Sequence, residues 1–323
     1  MREPDAIIIN HTVLILPPAT PNDASALPLL AGTCYRCVPN HGFARSHPYP
    51  VPAMSQYIEY EAAEKIATVQ IDRASALNAI NPDVMRELSD AFRRADDDPQ
   101  VHVVVLSGSG KHFGAGFDLK FNWGQHYGGQ TPMGMRRMLT DCVEFEYTPW
   151  DCSKPVIAMV RGYCLAGSCE LALMSCVTFA SDTAQFGEPE IRFSTASPAI
   201  VMPWIVGLKK ARELLYSGDT IDAQEALRIG MVNRVFPDAQ LEQETWRYAK
   251  RVAAISLEGL QATKAAINRG AEIAGLRQAI AYGVEVGALL DASDTAANRR
   301  FNEIRERDGL TAAIRWRERQ FEP

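Results

Sequence analysis

Residues 155–174 read Pro155-Val156-Ile157-Ala158-Met159-Val160-Arg161-Gly162-Tyr163-Cys164-Leu165-Ala166-Gly167-Ser168-Cys169-Glu170-Leu171-Ala172-Leu173-Met174. The first six form an apolar run of strand length, the pattern of a strand covered on both faces. A glycine turn follows, and then a helix from about Ser168. The same order occurs earlier. Val101-His102-Val103-Val104-Val105-Leu106 is a nearly all-apolar strand, the loop through Gly114 is glycine-rich, and a helical segment is expected from about Asp118. Before it, Ile66-Ala67-Thr68-Val69-Gln70-Ile71 reads as a strand. Asn81-Pro82-Asp83 opens a helix with an N-cap, a proline at the first position and an acid in the first turn, and Asp96-Asp97-Asp98-Pro99 ends it. From about Ala239 onward alanine, glutamate and arginine recur at helical spacing. Alternation early and helices late predict an α/β fold with a helical C-terminal part.

Composition agrees with a folded chain. Of 323 residues, 47% are hydrophobic and 22% charged, which excludes disorder as the dominant state. No apolar run approaches the length of a membrane span. The net charge of −6 gives no basic surplus for non-specific nucleic-acid binding. The seven cysteines are an odd count. Cys142, Cys152, Cys164, Cys169 and Cys176 sit in apolar stretches and read as buried, reduced thiols of a cytoplasmic protein.

Residues 1–53 differ from the rest. They hold nine of the 19 prolines, a density that blocks helix interiors and central strands. The stretch reads as an extended, flexible arm, and its start lacks the pattern of a secretory or transit signal. Cys34 and Cys37, with His41 and His47, are zinc-capable residue types, but their spacing is not a standard finger and no metal site is expected. Met54 opens what reads as an ordinary domain and is a candidate natural start. Residues 54–250 are expected to form the core with the active site, and 251–323 a helical region of the same domain.

The glycine loops fail the nucleotide patterns. Phe113 stands where a dinucleotide motif needs glycine, and Val105 and His112 break the phosphate-loop pattern. Ala166-Gly167-Ser168 is not a nucleophile elbow. What remains is flexible backbone at two helix starts, Gly114-Ala115-Gly116-Phe117 and Ala166-Gly167-Ser168. Two such points facing one cleft offer two amide donors to a developing oxyanion; tight packing explains the same glycines. Glu170 lies in a helix apolar on nearly every face, with Ala166 and Met174 one turn away. A buried carboxylate without a local cation suits acid-base work; the alternative is a structural ion pair with a distant arginine. Either Glu188 or Glu190 supplies a second carboxylate, and the bland reading is a solvated loop acid with Glu190 offset by Arg192.

Taken in order, these segments resemble the crotonase superfamily, the enoyl-CoA hydratase/isomerase family. The resemblance runs from about Met54 to the C-terminus. It rests on Ser75-Ala76-Leu77-Asn78-Ala79-Ile80, Phe113-Gly114-Ala115-Gly116-Phe117-Asp118-Leu119-Lys120, 161–172, Phe186-Gly187-Glu188-Pro189-Glu190-Ile191 and Gly230-Met231-Val232-Asn233-Arg234-Val235. It implies a crotonase-like spiral of strand-strand-helix units with a helical C-terminal region used in trimerisation, hence a homotrimer or hexamer. It implies an acyl-CoA thioester substrate, no metal or redox cofactor, and no nucleic-acid or membrane partner. Carried over by motif position, the oxyanion-hole amides fall on Phe117 and Gly167, the base on Glu170 and the acid on Glu190 rather than Glu188. Contacts to coenzyme A fall on Arg73, Ala76, Leu77, Ala115, Phe117, Asp118, Leu119 and Lys120, with Gly167 beside the thioester. The implied activity is enoyl-CoA hydration, with a double-bond isomerase, an acyl-CoA hydrolase or a non-catalytic acyl-CoA-binding protein as alternatives. Two departures bear on the acyl pocket. Phe117 stands where many hydratases carry alanine, and the bulky 193–204 stretch replaces a glycine-rich one.

Overall fold

The computed structural model of the chain describes residues 6–9, 12–15, 55–293 and 295–321. Contacts divide the chain into two units, Met1–Pro52 and Ala53–Pro323. In the first, Ala6–Ile9 pairs antiparallel with Thr12–Ile15. Cys34, Cys37, His41 and His47 lie outside the described residues.

The second unit is built on a six-stranded sheet in the order Arg234–Phe236, Val177–Ser181, Val156–Val160, Val103–Gly108, Ile66–Ile71, Ile58–Ala63. Only the Ile58–Ala63 edge is antiparallel to its neighbour. The two apolar runs behave as expected of strands covered on both faces. Val156–Val160 is buried throughout, and so are the first five residues of Val103–Gly108. One face packs on Val84, Leu88 and Phe92 of the Pro82–Asp97 helix, and the other on Leu241, Ala249 and Ala253 of the Asp238–Ala253 helix. The Pro82–Asp97 helix starts as its sequence demands, with the Asn81 side chain accepting from the Val84 N–H at 2.9 Å.

A second, three-stranded sheet runs Ile221–Asp222, Gln185–Gly187, Tyr163–Leu165. Val156–Val160 belongs to the first sheet, Tyr163–Leu165 to the second, and the Gly167–Leu173 helix follows at once. This is one strand-strand-helix turn of the kind the sequence resemblance implies.

Two expectations need correction. No helix begins near Asp118. The segment after Phe117 is held as a loop because Asp118 is occupied: its carboxylate pairs with Arg73 at 2.7 Å and caps the Lys120 N–H, and its carbonyl accepts from the Trp123 indole. Helix resumes at Trp123–His126 and then at Pro132–Glu146. Cys176 is exposed, at the turn that enters Val177–Ser181, whereas Cys142, Cys152, Cys164 and Cys169 are buried; all five are free thiols.

The C-terminal part is helical, as expected. Gly275, at φ 103°, joins the Leu257–Ile273 and Leu276–Asp291 helices, a residue and an angle that suit each other. Leu276, Ile280, Val284 and Ala288 bury one stripe in the main core, while Ile267, Ile273, Tyr282 and Leu289 stay exposed. Among the described residues no single helix is long and apolar enough to cross a membrane, although these two together meet the length and composition despite a 55° bend.

The capping argument is testable. Asn81→Ala removes the acceptor for Val84 and should lower stability by about 1 kcal/mol, read as a reduced melting temperature, while Asn81→Ser should retain most of it. An unchanged melting temperature in Asn81→Ala would show that the cap does not contribute.

Candidate active site

The site is organised by two backbone segments pressed together. Tyr163–Leu165 leads into Ala166, which adopts φ 53° and ψ −137°, and the chain turns there into a helix buried on every face. The Ala166 N–H donates to the Gly187 carbonyl at 2.8 Å. Opposite runs 114–117, joined by a parallel bridge between Gly114 and Cys164 and by the Gly116 N–H donating to Ser168 Oγ at 3.1 Å. No side chain fits between them. A Cβ on Gly116 would lie 2.4 Å from the Ala166 methyl, and one on Gly167 would lie 2.4 Å from Cε2 of Phe117. The glycines therefore do both jobs the sequence left open: they permit close packing and place bare backbone side by side.

Neither the Phe117 nor the Gly167 N–H has a hydrogen-bond acceptor among the described residues. Gly167 is the first residue of its helix, where amides have no internal acceptor. Phe117 follows a loop instead, since the expected helix is absent. Its ring packs edge-on to Trp123 at 5.6 Å, which walls this side of the site.

Glu170, one turn into the helix, is fully buried. Its Oε1 accepts from the Ala199 N–H at 2.8 Å, and Oε2 has no other donor. Among the described residues no arginine pairs with it, so the structural alternative has no partner there. Three further carboxyls share this space. Glu188 is buried, with Oε2 accepting from Ser197 Oγ at 2.7 Å. Both oxygens of Glu190 are buried without a donor. Arg192 does not offset Glu190; it pairs with Asp219 and Glu318 and donates to the Ser217 carbonyl. Glu188 and Glu190 are thus inward-facing groups rather than solvated loop acids. The fourth is Glu146, at the end of the Pro132–Glu146 helix, fully buried, with no hydrogen-bond donor to either carboxyl oxygen among the described residues; a Cβ on Gly167 would lie 3.0 Å from its Oε1.

Glu146 escaped the sequence reading, although a signal existed. Met135, Leu139, Cys142 and Val143 form the buried stripe of that helix, and Glu146 continues it at helical spacing. Ser168, which carries the Gly116 amide, was also missed as a positioning group.

Charge is costly in this dry space. Burial, aided by the other carboxyls, holds Glu146, Glu170 and Glu188 well above the ordinary carboxylate range, and burial raises Glu190 to about 7. No lysine or arginine figures among the charges acting on the four. Among the described residues no group of three or more His, Cys, Asp or Glu side chains is arranged to hold a metal ion.

The other predicted residues form the rim. Ala76 ends a short 3-10 turn, and Leu77 follows in the left-handed region with its side chain 44% exposed. Buried Asn78 latches this turn: its Oδ1 accepts from the Arg73 N–H, and its Nδ2 donates to the Ser109 and His112 carbonyls. The Ala115 N–H donates to the Leu77 carbonyl, which brings the turn beside Phe117. Leu119 and Lys120 are exposed. Arg73 and Asp118 are engaged with each other, and Arg73 also donates to the Ala79 carbonyl, so they shape the rim before any ligand arrives. A cavity of about 520 Å³ opens beyond Leu119 and Trp123, bounded by Met135, Phe193, Thr195 and Asp291.

Comparison with known proteins agrees with this geometry. The family model described as Enoyl-CoA hydratase/isomerase matches residues 61–306. A crotonyl-CoA hydratase of Syntrophomonas wolfei is 32% identical over 272 residues, covering 81% of this chain and 96% of that protein. A probable enoyl-CoA hydratase of Rhizobium meliloti is 35% identical over 216 residues, covering 66% and 81%. A solved enoyl-CoA hydratase/isomerase from Xanthobacter autotrophicus Py2 superimposes with a TM-score of 0.80 at 35% identity, covering 84% of this chain and all of that one.

The buried acids have a thermodynamic consequence. Glu190 binds its proton more tightly when folded, at about 7 against an ordinary 4.5. Its contribution to stability is complete below the unfolded value and is lost as pH rises through the folded one. Wild type should therefore lose stability relative to Glu190→Gln between about pH 4.5 and 7. Melting temperatures of both proteins across this window check it; parallel curves would contradict the assignment.

Proposed function

The chain belongs to the enoyl-CoA hydratase/isomerase family, and we propose that it adds water, syn, across the double bond of a 2-enoyl-CoA thioester. The observation that carries this reading is the placement of two acceptor-free amides, Phe117 and Gly167, beside buried carboxyls. Glu170, as carboxylate, takes a proton from water as the water oxygen bonds to the β carbon. The π electrons move toward the thioester, and negative charge develops on its carbonyl oxygen. The two amides donate to that oxygen, where fixed dipoles are worth most because they need no reorganisation. Glu190 gives its proton to the α carbon, and the carbonyl re-forms. The proton left on Glu170 then returns to Glu190 by way of solvent, which restores the starting state.

The raised value of Glu190 supports its role as the acid. A raised value near 7 keeps a useful fraction of Glu190 protonated at neutral pH, as an acid requires. Burial and the neighbouring carboxyls raise Glu170, and the Ala199 N–H opposes them by favouring the ionised form that a base requires. Coenzyme A arrives as part of the substrate, against Ala76, Leu77, Ala115, Leu119 and Lys120, with Arg73 and Asp118 holding the rim and Phe117 and Gly167 at the thioester. The reaction involves no net redox change and asks for no metal. The acyl group extends past the Phe117 ring toward the Trp123 and Phe193 cavity. The exposed Ile267, Ile273, Tyr282 and Leu289 support assembly into a trimer or hexamer through the C-terminal helices. A cytoplasmic setting suits the free thiols.

Incubation with crotonyl-CoA, following loss of the conjugated thioester absorbance, tests the reading. Glu170→Gln and Glu190→Gln should each lose at least about 100-fold in turnover while retaining coenzyme A affinity. Selective loss in Glu190→Gln would favour a one-base isomerase. Release of free coenzyme A by wild type would favour a hydrolase. Binding without any turnover would leave a carrier.

A further inference from the structure

Glu190 must reach the α carbon along a defined line, yet among the described residues no donor touches either of its carboxyl oxygens. Its direction therefore comes from the backbone that carries it, the 3-10 turn Pro189–Phe193, which ends at Ser194 in the left-handed region with φ 55°. The exit of that turn is gripped by the last two helices, Ala296–Asp308 and Leu310–Glu318. Arg317 donates from Nη1 to the Arg192 carbonyl. Glu318 pairs with the Arg192 guanidinium at 3.2 Å, and the Phe193 ring meets Phe301 edge-on at 5.8 Å.

Arg317 is the member of this grip that packing alone does not explain. It is 4% exposed, makes no ion pair among the described residues, and its Nε is buried without an acceptor. The adjacent Glu318 is engaged by Arg192. The guanidinium lies 5.5 Å from the centre of the Phe193 ring and 4.9 Å from that of Phe301, which offsets part of the cost of burying a cation. A methionine would fill the space without that cost. What the arginine alone supplies is a fixed donor to one carbonyl, two residues beyond Glu190. We propose that Arg317 is a positioning residue for Glu190: by holding the Arg192 carbonyl it fixes the Pro189–Phe193 turn, and with it the line along which the acid meets the α carbon. A misplacement of about 1 Å at a reacting group costs about 100-fold in turnover, so one hydrogen bond behind the acid matters to the reaction although it touches no reacting atom.

The inference rests on Glu190 being the acid, and two measurements separate its failure from that of the hydratase reading. The first compares crotonyl-CoA hydration in wild type, R317M, E190Q and R317M/E190Q, with melting temperatures to confirm folding. R317M should lower kcat at least about tenfold and change KM less than about threefold. In the E190Q background, where no acid is left to place, the same change should lower kcat by less than about twofold. A merely structural role would cost the same factor in both backgrounds. If R317M does not fold, F301L, which removes the ring edge against Phe193, goes through the same cycle with the same expectation. Equal losses in the two backgrounds, or an undiminished kcat, overturn the proposal. The second measurement needs no substrate. The Ser194 and Thr195 amides donate to the Ile191 and Glu190 carbonyls, so their hydrogen exchange, read by mass spectrometry on peptides covering 189–195, reports on the turn. In the same variant it should quicken at least about tenfold, while Val103–Gly108 exchanges as in wild type. Unchanged exchange over 189–195 overturns the proposal. If that exchange quickens but wild type does not hydrate crotonyl-CoA, the hold on the turn stands and the hydratase reading falls.

Discussion

The close approach of 114–117 to 164–168 governs the rest of the site. A loop and a strand-to-helix turn could not bring bare amides together if either segment carried ordinary side chains at the contact. Gly116 and Gly167 leave that space, Ser168 Oγ replaces a lost backbone partner, and the Gly114–Cys164 bridge fixes the register. Each later feature follows from it. The helix that begins at Gly167 points its first amide into the cleft and sets Glu170 one turn behind. The Asn78 latch and the Arg73–Asp118 pair bring the rim turn to the same place.

The carboxyl cluster shows how electrostatics and packing share the work. Four acids in a dry space cannot all ionise, so the site retains protons at pH values where a surface glutamate has none. For a reaction that takes a proton from one atom and supplies one to another, such a store is useful. Its members are told apart by single donors: the Ala199 amide for Glu170, the Ser197 hydroxyl for Glu188 and neither for Glu146.

The sequence made the buried strands legible because both faces of a parallel sheet are covered and nothing competes with the apolar signal. It made Glu170 legible because an acid inside an unbroken apolar helix is conspicuous. Where a charge decided the local structure, the reading failed. The stretch after Phe117 has a helical look, but the fold turns Asp118 toward Arg73, 45 positions away along the chain. Glu188 and Glu190 read equally well as surface acids, since a loop has no periodicity to mark an inward face. Glu146 sat in plain view on an apolar stripe and was hidden by its neighbour Glu144, which makes the segment look like an ordinary solvated helix end. The choice between Glu188 and Glu190 came from family resemblance, and both turn out to be inside.

Ala166 carries a further implication. A residue with a side chain holds φ 53° and ψ −137° only when its surroundings insist, at a cost of about 1–3 kcal/mol. Its methyl group is also the wall against which Gly116 rests. Glycine there would relax the backbone and remove the wall together. Thermal robustness and a rigid spacing between the two segments therefore pull against each other at a single methyl group.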